Sequence, residues 1–321
     1  MPPKVSAPHP TNRDVTILLW HWPFGVPYAL PEDLCLQRYN VSRCKLQYNR
    51  TTLPTADVVV FHNKELVQGK QPLPLHPARP QGQRWVWMSL ESPAHNGDLR
   101  PFADIFNLTM SYRRDADITI PYGKLVPRET ENGEEPLCHN KSIPVCWVVS
   151  NYRTSYRRSR VYNQLREAVP VTVYGRWNKR LLSPDELLPT ISRCYFYLAF
   201  ENSESRDYIT EKLWKNAYQS GAVPVVLGPP LDDYNAVAPR ASFIHVDEFA
   251  SGQDLGRRLQ ELVKDKERYA GFLRWQKDWR VKLYTDWAER LCTICSQYDR
   301  LPKHKIYTDL DAWVKAQQPV G

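Results

Sequence analysis

Residues 195–230 constrain the fold more than any other stretch of this chain. Tyr195–Phe200 is a short apolar run, long enough for a core strand and too short for a helix. A polar loop follows, then a helix that Thr210 is placed to cap, with Glu211 and Lys212 in its first turn and Gly221 at its end. Val223–Leu227 is valine-rich and stops on Gly228-Pro229-Pro230, the pattern of a second buried strand. Two buried strands joined by a helix pair in parallel, because a parallel pair needs a crossover. Such sheets take their ligands at the carboxyl ends of the strands. Here that end carries Glu201, Asn202, Asp207, Tyr208, Glu211 and Lys212. The expectation is a nucleotide pocket.

Further strands are predicted at Val15–Trp20, Ala56–Phe61 and Trp85–Leu90, then at Val145–Ser150, Val171–Gly175 and Ser242–Val246, while Phe106–Tyr112 and Ile118–Ile120 flank Arg113, Arg114 and Asp115. Helices are predicted at Ser155–Ala168, Asp254–Val263, Arg268–Tyr284 and Leu310–Ala316. The stretch around 124–144 is rich in Pro, Glu, Gly and Asn without periodicity and reads as a linker. The 321 residues are therefore expected to divide into a disordered N-terminal stem remnant (1–13), a first domain (14–123), the linker (124–144), a second domain (145–300) and a C-terminal helix and tail (301–321). Alternating strands and helices in both halves imply an α/β fold of two doubly wound, Rossmann-like domains facing a cleft.

The net charge of +8 is spread along the chain, so no nucleic-acid footprint is expected. Four Asn-X-Ser/Thr sequons, at Asn40, Asn49, Asn107 and Asn140, point to a secretory lumen. No run of 18 or more apolar residues accompanies them, and Met1–Arg13 is no signal peptide. A membrane anchor missing from the N-terminus reconciles the two. Of seven cysteines, Cys35 and Cys44 are close enough to close a small loop. Cys292-Thr-Ile-Cys295 suits a disulfide, a redox motif or half a zinc site. The odd count leaves a free thiol, for which Cys138 is the candidate.

Several residues have the character of a catalytic set, each with a plainer alternative. Glu91 follows the Trp85–Leu90 strand, where it serves as a general base or as a surface residue opening a turn. Arg158 opens a helix, where its forked donors fit a diphosphate, or it belongs to an exposed basic face with Arg153, Arg157, Arg160 and Arg166. Lys212 can meet a phosphate as a point charge, Glu201 or Glu211 can accept from sugar hydroxyls, and Asn202 and Tyr208 can bond base, ribose or phosphate. Otherwise these are a polar loop at a helix start. Asp115-Ala-Asp117 has the spacing of a divalent-metal motif, but it sits in the first half beside Arg113 and Arg114 and reads as structural or acceptor-side.

Tyr-Leu-Ala-Phe-Glu-Asn-Ser (197–203), Asp-Tyr-Ile-Thr-Glu-Lys (207–212) and Val-Pro-Val-Val-Leu-Gly-Pro (223–229) resemble the α-1,3/4-fucosyltransferases of glycosyltransferase family 10. The resemblance extends through 18–24, 85–93, 112–118 and 147–151, and so covers nearly the whole chain. The segments 283–295 and 307–313 most resemble the branch that makes sialyl Lewis x from sialylated type 2 chains. The resemblance implies a GT-B architecture and an inverting enzyme with GDP-β-L-fucose as donor and no metal or other cofactor. It implies Glu91 as general base and Arg158, Asn202, Tyr208, Glu211 and Lys212 as donor-binding residues. Where the family distinguishes acceptors with His-His-Trp or His-His-Arg, this chain has His62-Asn63-Lys64, which implies type 2 chains. The family's disulfide pattern suggests Cys35–Cys44, Cys292–Cys295 and Cys146–Cys194. The implied partners are glycoprotein and glycolipid glycans ending in (sialyl) N-acetyllactosamine, in the Golgi lumen, with the membrane reached through a type II anchor. Protein O-fucosylation, core N-glycan fucosylation and catalytically silent glycan binding are the alternatives.

Overall fold

A computed structural model describes residues 14–69, 72–76, 78–129 and 140–316. The chain divides into two compact units, one running to Ile120 and resuming at Tyr284, the other spanning Pro121–Leu283. The expected boundaries therefore shift. Residues 284–300 belong to the first unit, not the second.

The first unit holds a six-stranded sheet in the order β2-β1-β3-β4-β5-β6. Its strands are β1 (Val15–Leu19), β2 (Cys44–Gln47), β3 (Val58–His62), β4 (Arg84–Ser89), β5 (Leu108–Ser111) and β6 (Ile118–Thr119), all parallel. The central β3 and β4 are buried at every residue, as a parallel sheet covered on both faces requires. Tyr307, Leu310 and Val314 from the returning chain pack into the same core as Phe61, Trp85 and Phe106. The C-terminal segment is thus an integral part of this unit.

Two disulfides fasten that return, and they correct the expected pairing. Cys35 bonds Cys292 and Cys44 bonds Cys295. The reason is helical geometry. Cys292 and Cys295 lie inside the helix Trp287–Gln297, where residues three apart share a face. That face meets Cys35 on the helix Leu34–Tyr39 and Cys44 at the start of β2. Cys146–Cys194 is present as expected, while Cys138 lies outside the described residues.

Sequon geometry separates the four asparagines. Asn40, Asn49 and Asn140 are exposed. Asn107 is partly buried and its amide is committed at both ends: Oδ1 accepts from Arg79 and from the Trp85 backbone, while Nδ2 donates to the Lys305 carbonyl at 2.9 Å. It holds the C-terminal segment against β4. Asn107→Ala is therefore expected to cost about 1–3 kcal/mol in thermal or denaturant unfolding. Glycopeptide mapping should find sugar at the three exposed sequons and none at Asn107.

The second unit carries a parallel sheet ordered β12-β11-β10-β8-β9, and an antiparallel ribbon of β7 and β13. The strands are β7 (Gly123–Pro127), β8 (Ile143–Val148), β9 (Val171–Tyr174), β10 (Cys194–Phe200), β11 (Val223–Leu227), β12 (Ile244–His245) and β13 (Trp279–Leu283). Along β10, Phe196, Leu198 and Phe200 enter one core, while Cys194, Tyr197 and Ala199 enter the other. Both faces of the strand are covered, so the run is apolar throughout. The ribbon corrects two expectations at once. Gly123–Pro127 is a strand and not the start of a linker, and Trp279–Leu283 pairs with it instead of extending a helix. No helix among the described residues is long and apolar enough to cross a membrane.

Candidate active site

The loop leaving β10 builds a buried charge cluster. Glu201 follows the last residue of the strand, and its backbone N–H still bonds Leu227 of β11 at 2.8 Å. Its carboxylate, 1% exposed, accepts from the Thr210 backbone N–H at 2.8 Å, from the Thr210 hydroxyl at 2.9 Å and from Lys212 Nζ at 3.0 Å. Lys212 Nζ also donates to Thr210 Oγ1 at 2.9 Å and to Glu211 Oε1 at 3.1 Å. Burial pushes the Glu201 carboxyl up, opposed by the Lys212 charge. Burial works against the Lys212 ammonium too, but Glu201 and Glu211 hold its pKa above the usual lysine value. Lys212 is thus a fixed, pre-paid cation whose position Glu201 and Thr210 dictate.

One sequence expectation holds and one sharpens here. Thr210 stands just before the helix, its hydroxyl oxygen accepting from the Lys212 backbone N–H at 3.5 Å as a cap does, while the same hydroxyl also meets Glu201 and Lys212 Nζ. Glu201 is engaged by protein donors on both oxygens, the Thr210 hydroxyl among them, so it is a positioning group, and of the two carboxylates offered for a sugar hydroxyl Glu211 is the exposed one. The helix itself, Lys212–Gln219, is wound wide as a π-helix, a geometry frequent at functional sites. Gly228 closes the cluster from β11. A Cβ there would stand 2.9 Å from Glu201 Cβ and Cγ, and its φ of +156° lies where side chains are strained.

Arg158 joins this cluster and stands apart from its neighbours. Arg153, Arg160 and Arg166 are exposed, and Arg157 pairs with Glu204 and Asp247. Arg158 is 5% exposed. One guanidinium nitrogen donates to the Asn151 carbonyl, while Nε is buried without a partner among the described residues. Burial lowers its pKa, and Glu201 and Tyr208 act on it as opposing charges. Asn202 Oδ1 is likewise buried and unpartnered. Tyr208 is buried, its ring edge-to-face with Tyr122 at 6.4 Å. The second unit therefore gathers Arg158, Asn202, Tyr208, Glu211 and Lys212 around one strand end, with orphaned polar atoms suited to an anionic, hydrogen-bonding ligand.

Glu91 belongs to the first unit, two residues beyond β4. It is partly exposed and lines a cavity of about 380 Å³ with His62, Lys64, Phe24 and His95. A second cavity of about 440 Å³ shares Phe24 and Lys64 and adds Trp20, Trp22, Tyr48 and Arg50. Phe24 is 47% exposed with φ +59°, a strained conformation for a bulky residue. His62 and Trp287 meet its ring at 5.1 and 6.1 Å, and Lys64 Nζ lies 4.7 Å from its centroid. Aromatic walls with cations at hand fit the apolar faces and acidic groups of a glycan.

The Asp115-Ala-Asp117 pair is structural in this fold. Asp115 pairs with Arg113 through both oxygens. Asp117 accepts from the Thr109 N–H, Tyr307 and Lys305, tying β5 to the returning chain. The sequence reading missed the polar network of Asn63, Ser89 and Asn96 beneath Glu91. Its only signal was the position of these residues around β4.

Comparison with known proteins identifies the family. A family model described as fucosyltransferase, N-terminal, matches residues 12–123, and one described as glycosyltransferase family 10 (fucosyltransferase) C-term matches 138–313. Alpha-(1,3)-fucosyltransferase 7 of Homo sapiens is 47% identical over 98% of this chain and 90% of its own length. The 4-galactosyl-N-acetylglucosaminide 3-alpha-L-fucosyltransferase FUT5 of Homo sapiens is 41% identical over 96% of this chain and 82% of its own. Among solved structures, an alpha1,3-fucosyltransferase crystallised with GDP-fucose matches 95% of this chain and 96% of its own, with a TM-score of 0.59 at 17% identity. That match supports two Rossmann-like units of the GT-B class. With family models on both halves and relatives above 40% identity along almost all its length, the chain belongs to glycosyltransferase family 10, the fucosyltransferases.

Proposed function

We propose that this fucosyltransferase is an inverting α-1,3 enzyme that moves L-fucose from GDP-β-L-fucose to the 3-hydroxyl of GlcNAc in type 2 N-acetyllactosamine chains, sialylated chains included. The observation that carries the reading is the cationic pair of the second unit: Lys212 fixed by Glu201 and Thr210, and buried Arg158 with an unspent donor. The relatives' names supply the α-1,3 linkage and a 4-galactosyl-N-acetylglucosaminide acceptor.

The acceptor oxygen attacks the fucose anomeric carbon from the face opposite GDP and gives its proton to Glu91 as the new bond forms. The bond to the GDP oxygen breaks, and the transition state has oxocarbenium character, as in glycosidases. Arg158 and Lys212 stabilise the charge that collects on the departing diphosphate. Asn202, Tyr208 and Glu211 orient the donor. Three disulfides and three exposed sequons suit an oxidising lumen, which we take to be the Golgi.

The sialylated acceptor draws support from Lys64 and Arg50, cations on the walls of the aromatic cavities. The test is an acceptor panel with GDP-fucose: sialylated and neutral N-acetyllactosamine, a type 1 chain, a core N-glycan and a folded peptide domain. Transfer should be confined to the type 2 chains. Lys64→Glu should lower kcat/KM on the sialylated chain about tenfold, the scale of one charge contact, and leave the neutral chain within twofold. An equal loss on both would remove Lys64 from sialate recognition, and transfer only to the peptide domain or the core N-glycan would overturn the acceptor class.

A further inference from the structure

We propose that Asn63, Ser89 and Asn96 are positioning residues that fix the backbone of Glu91, and so aim its carboxylate at the acceptor hydroxyl; the inference rests on Glu91 being the base. Glu91 lies past the end of β4, where ladder hydrogen bonds no longer hold the chain. Both of its backbone polar groups are bound by side chains instead. Its N–H donates to Ser89 Oγ at 3.1 Å, and its carbonyl accepts from Asn96 Nδ2 at 3.3 Å.

The two clamps are joined beneath the turn. Ser89 Oγ donates to Asn96 Oδ1 at 2.6 Å. Asn63 Nδ2 donates to the Asn96 carbonyl at 3.0 Å and to Asn96 Oδ1 at 3.1 Å, and Asn63 Oδ1 accepts from Trp87 Nε1 at 2.9 Å. Ser89 is 2% exposed, and Asn63 and Asn96 are each 3% exposed. A buried network with its members satisfied is rigid, and its links tie the turn that carries Glu91 to β4 through Ser89 and, by way of Asn63 at the start of the helix Asn63–Val67, through Trp87. Asn63 thereby gains a role other than sugar contact: in the His62-Asn63-Lys64 triplet it faces the turn, with both ends of its amide committed to protein.

Ser89→Ala removes one oxygen from this network and adds no bulk. It should lower kcat for transfer about 10- to 100-fold, the cost of a base slightly misplaced, with KM for GDP-fucose within twofold of the unaltered enzyme. The same substitution made in Glu91→Gln should have no further effect, because the residue it positions is already silent. Loss by the same factor in both backgrounds would overturn the inference, as would a Ser89→Ala enzyme of full activity beside a slow Glu91→Gln. Full activity in Glu91→Gln would instead fell the base reading, and the inference with it. Should Ser89→Ala lose its cooperative melting transition, Asn96→Ala taken through the same cycle decides by the same outcomes.

Discussion

Glu91→Gln is expected to lower kcat for fucosyl transfer by roughly 10²–10⁴-fold while leaving GDP affinity within about twofold. Glutamine keeps the shape of the side chain and both backbone clamps, and it removes only the site that accepts a proton. Among the described residues no hydrogen bond reaches the Glu91 carboxylate, since its contacts with Ser89 and Asn96 are made by the backbone. The substitution therefore breaks no structural bond, and the melting temperature should hold. GDP affinity should hold as well, because in the proposed mechanism Glu91 takes a proton from the acceptor and makes no contact with the nucleotide. Steady-state kinetics with saturating acceptor, set beside calorimetric GDP binding, separates the two quantities. Turnover near that of the unaltered enzyme would remove Glu91 from the mechanism. A combined loss of turnover and GDP affinity would make it a structural residue.

What the chain discloses locally and what it hides follow from the range of the forces involved. The unit from β10 to β11 is legible because both strands are covered on both faces, and full burial leaves an uninterrupted apolar run. The polar residues at its strand end could be collected from sequence, and the fold brings them together. The roles of Glu201 and Glu211 stayed open in the sequence because nothing local says whether a carboxylate meets a sugar or a lysine. The ribbon strand β13 was hidden by coincidence: Trp275, Trp279 and Leu283 recur every fourth residue, which satisfies a helical period as well. Its partner Gly123–Pro127 lies more than 150 residues earlier, too far for any local pattern to register. The cysteines failed for the same reason. Proximity in sequence favours Cys292–Cys295, whereas the bonds span separations of 257 and 251 residues. Once the helix Trp287–Gln297 docks beside Cys35 and Cys44, the cross-pairing follows from one helix face.

Lys212→Met should act on binding and on the fold, and a second variant separates the effects. Losing one charged contact to the diphosphate is expected to weaken GDP roughly 10- to 100-fold. Turnover should fall as well, since the same charge serves the leaving group. The fold suffers because Glu201, 1% exposed, would keep its Thr210 donors and lose its counter-charge. Breaking a buried pair from one side costs about 3–5 kcal/mol, more than the pair itself contributes. Burial already raises the Glu201 carboxyl, and without lysine it rises further. A carboxyl whose folded pKa lies above its unfolded value favours the fold below the unfolded pKa and loses that contribution as pH climbs through the folded one. The stability deficit of Lys212→Met should therefore shrink toward acid and widen toward neutral pH, as denaturant unfolding across that range would record. Adding Glu201→Gln removes the stranded charge, so the double variant should regain most of the lost stability and none of the GDP affinity. Recovery of both would mean that Lys212 serves only the fold, and the diphosphate would then rest on Arg158.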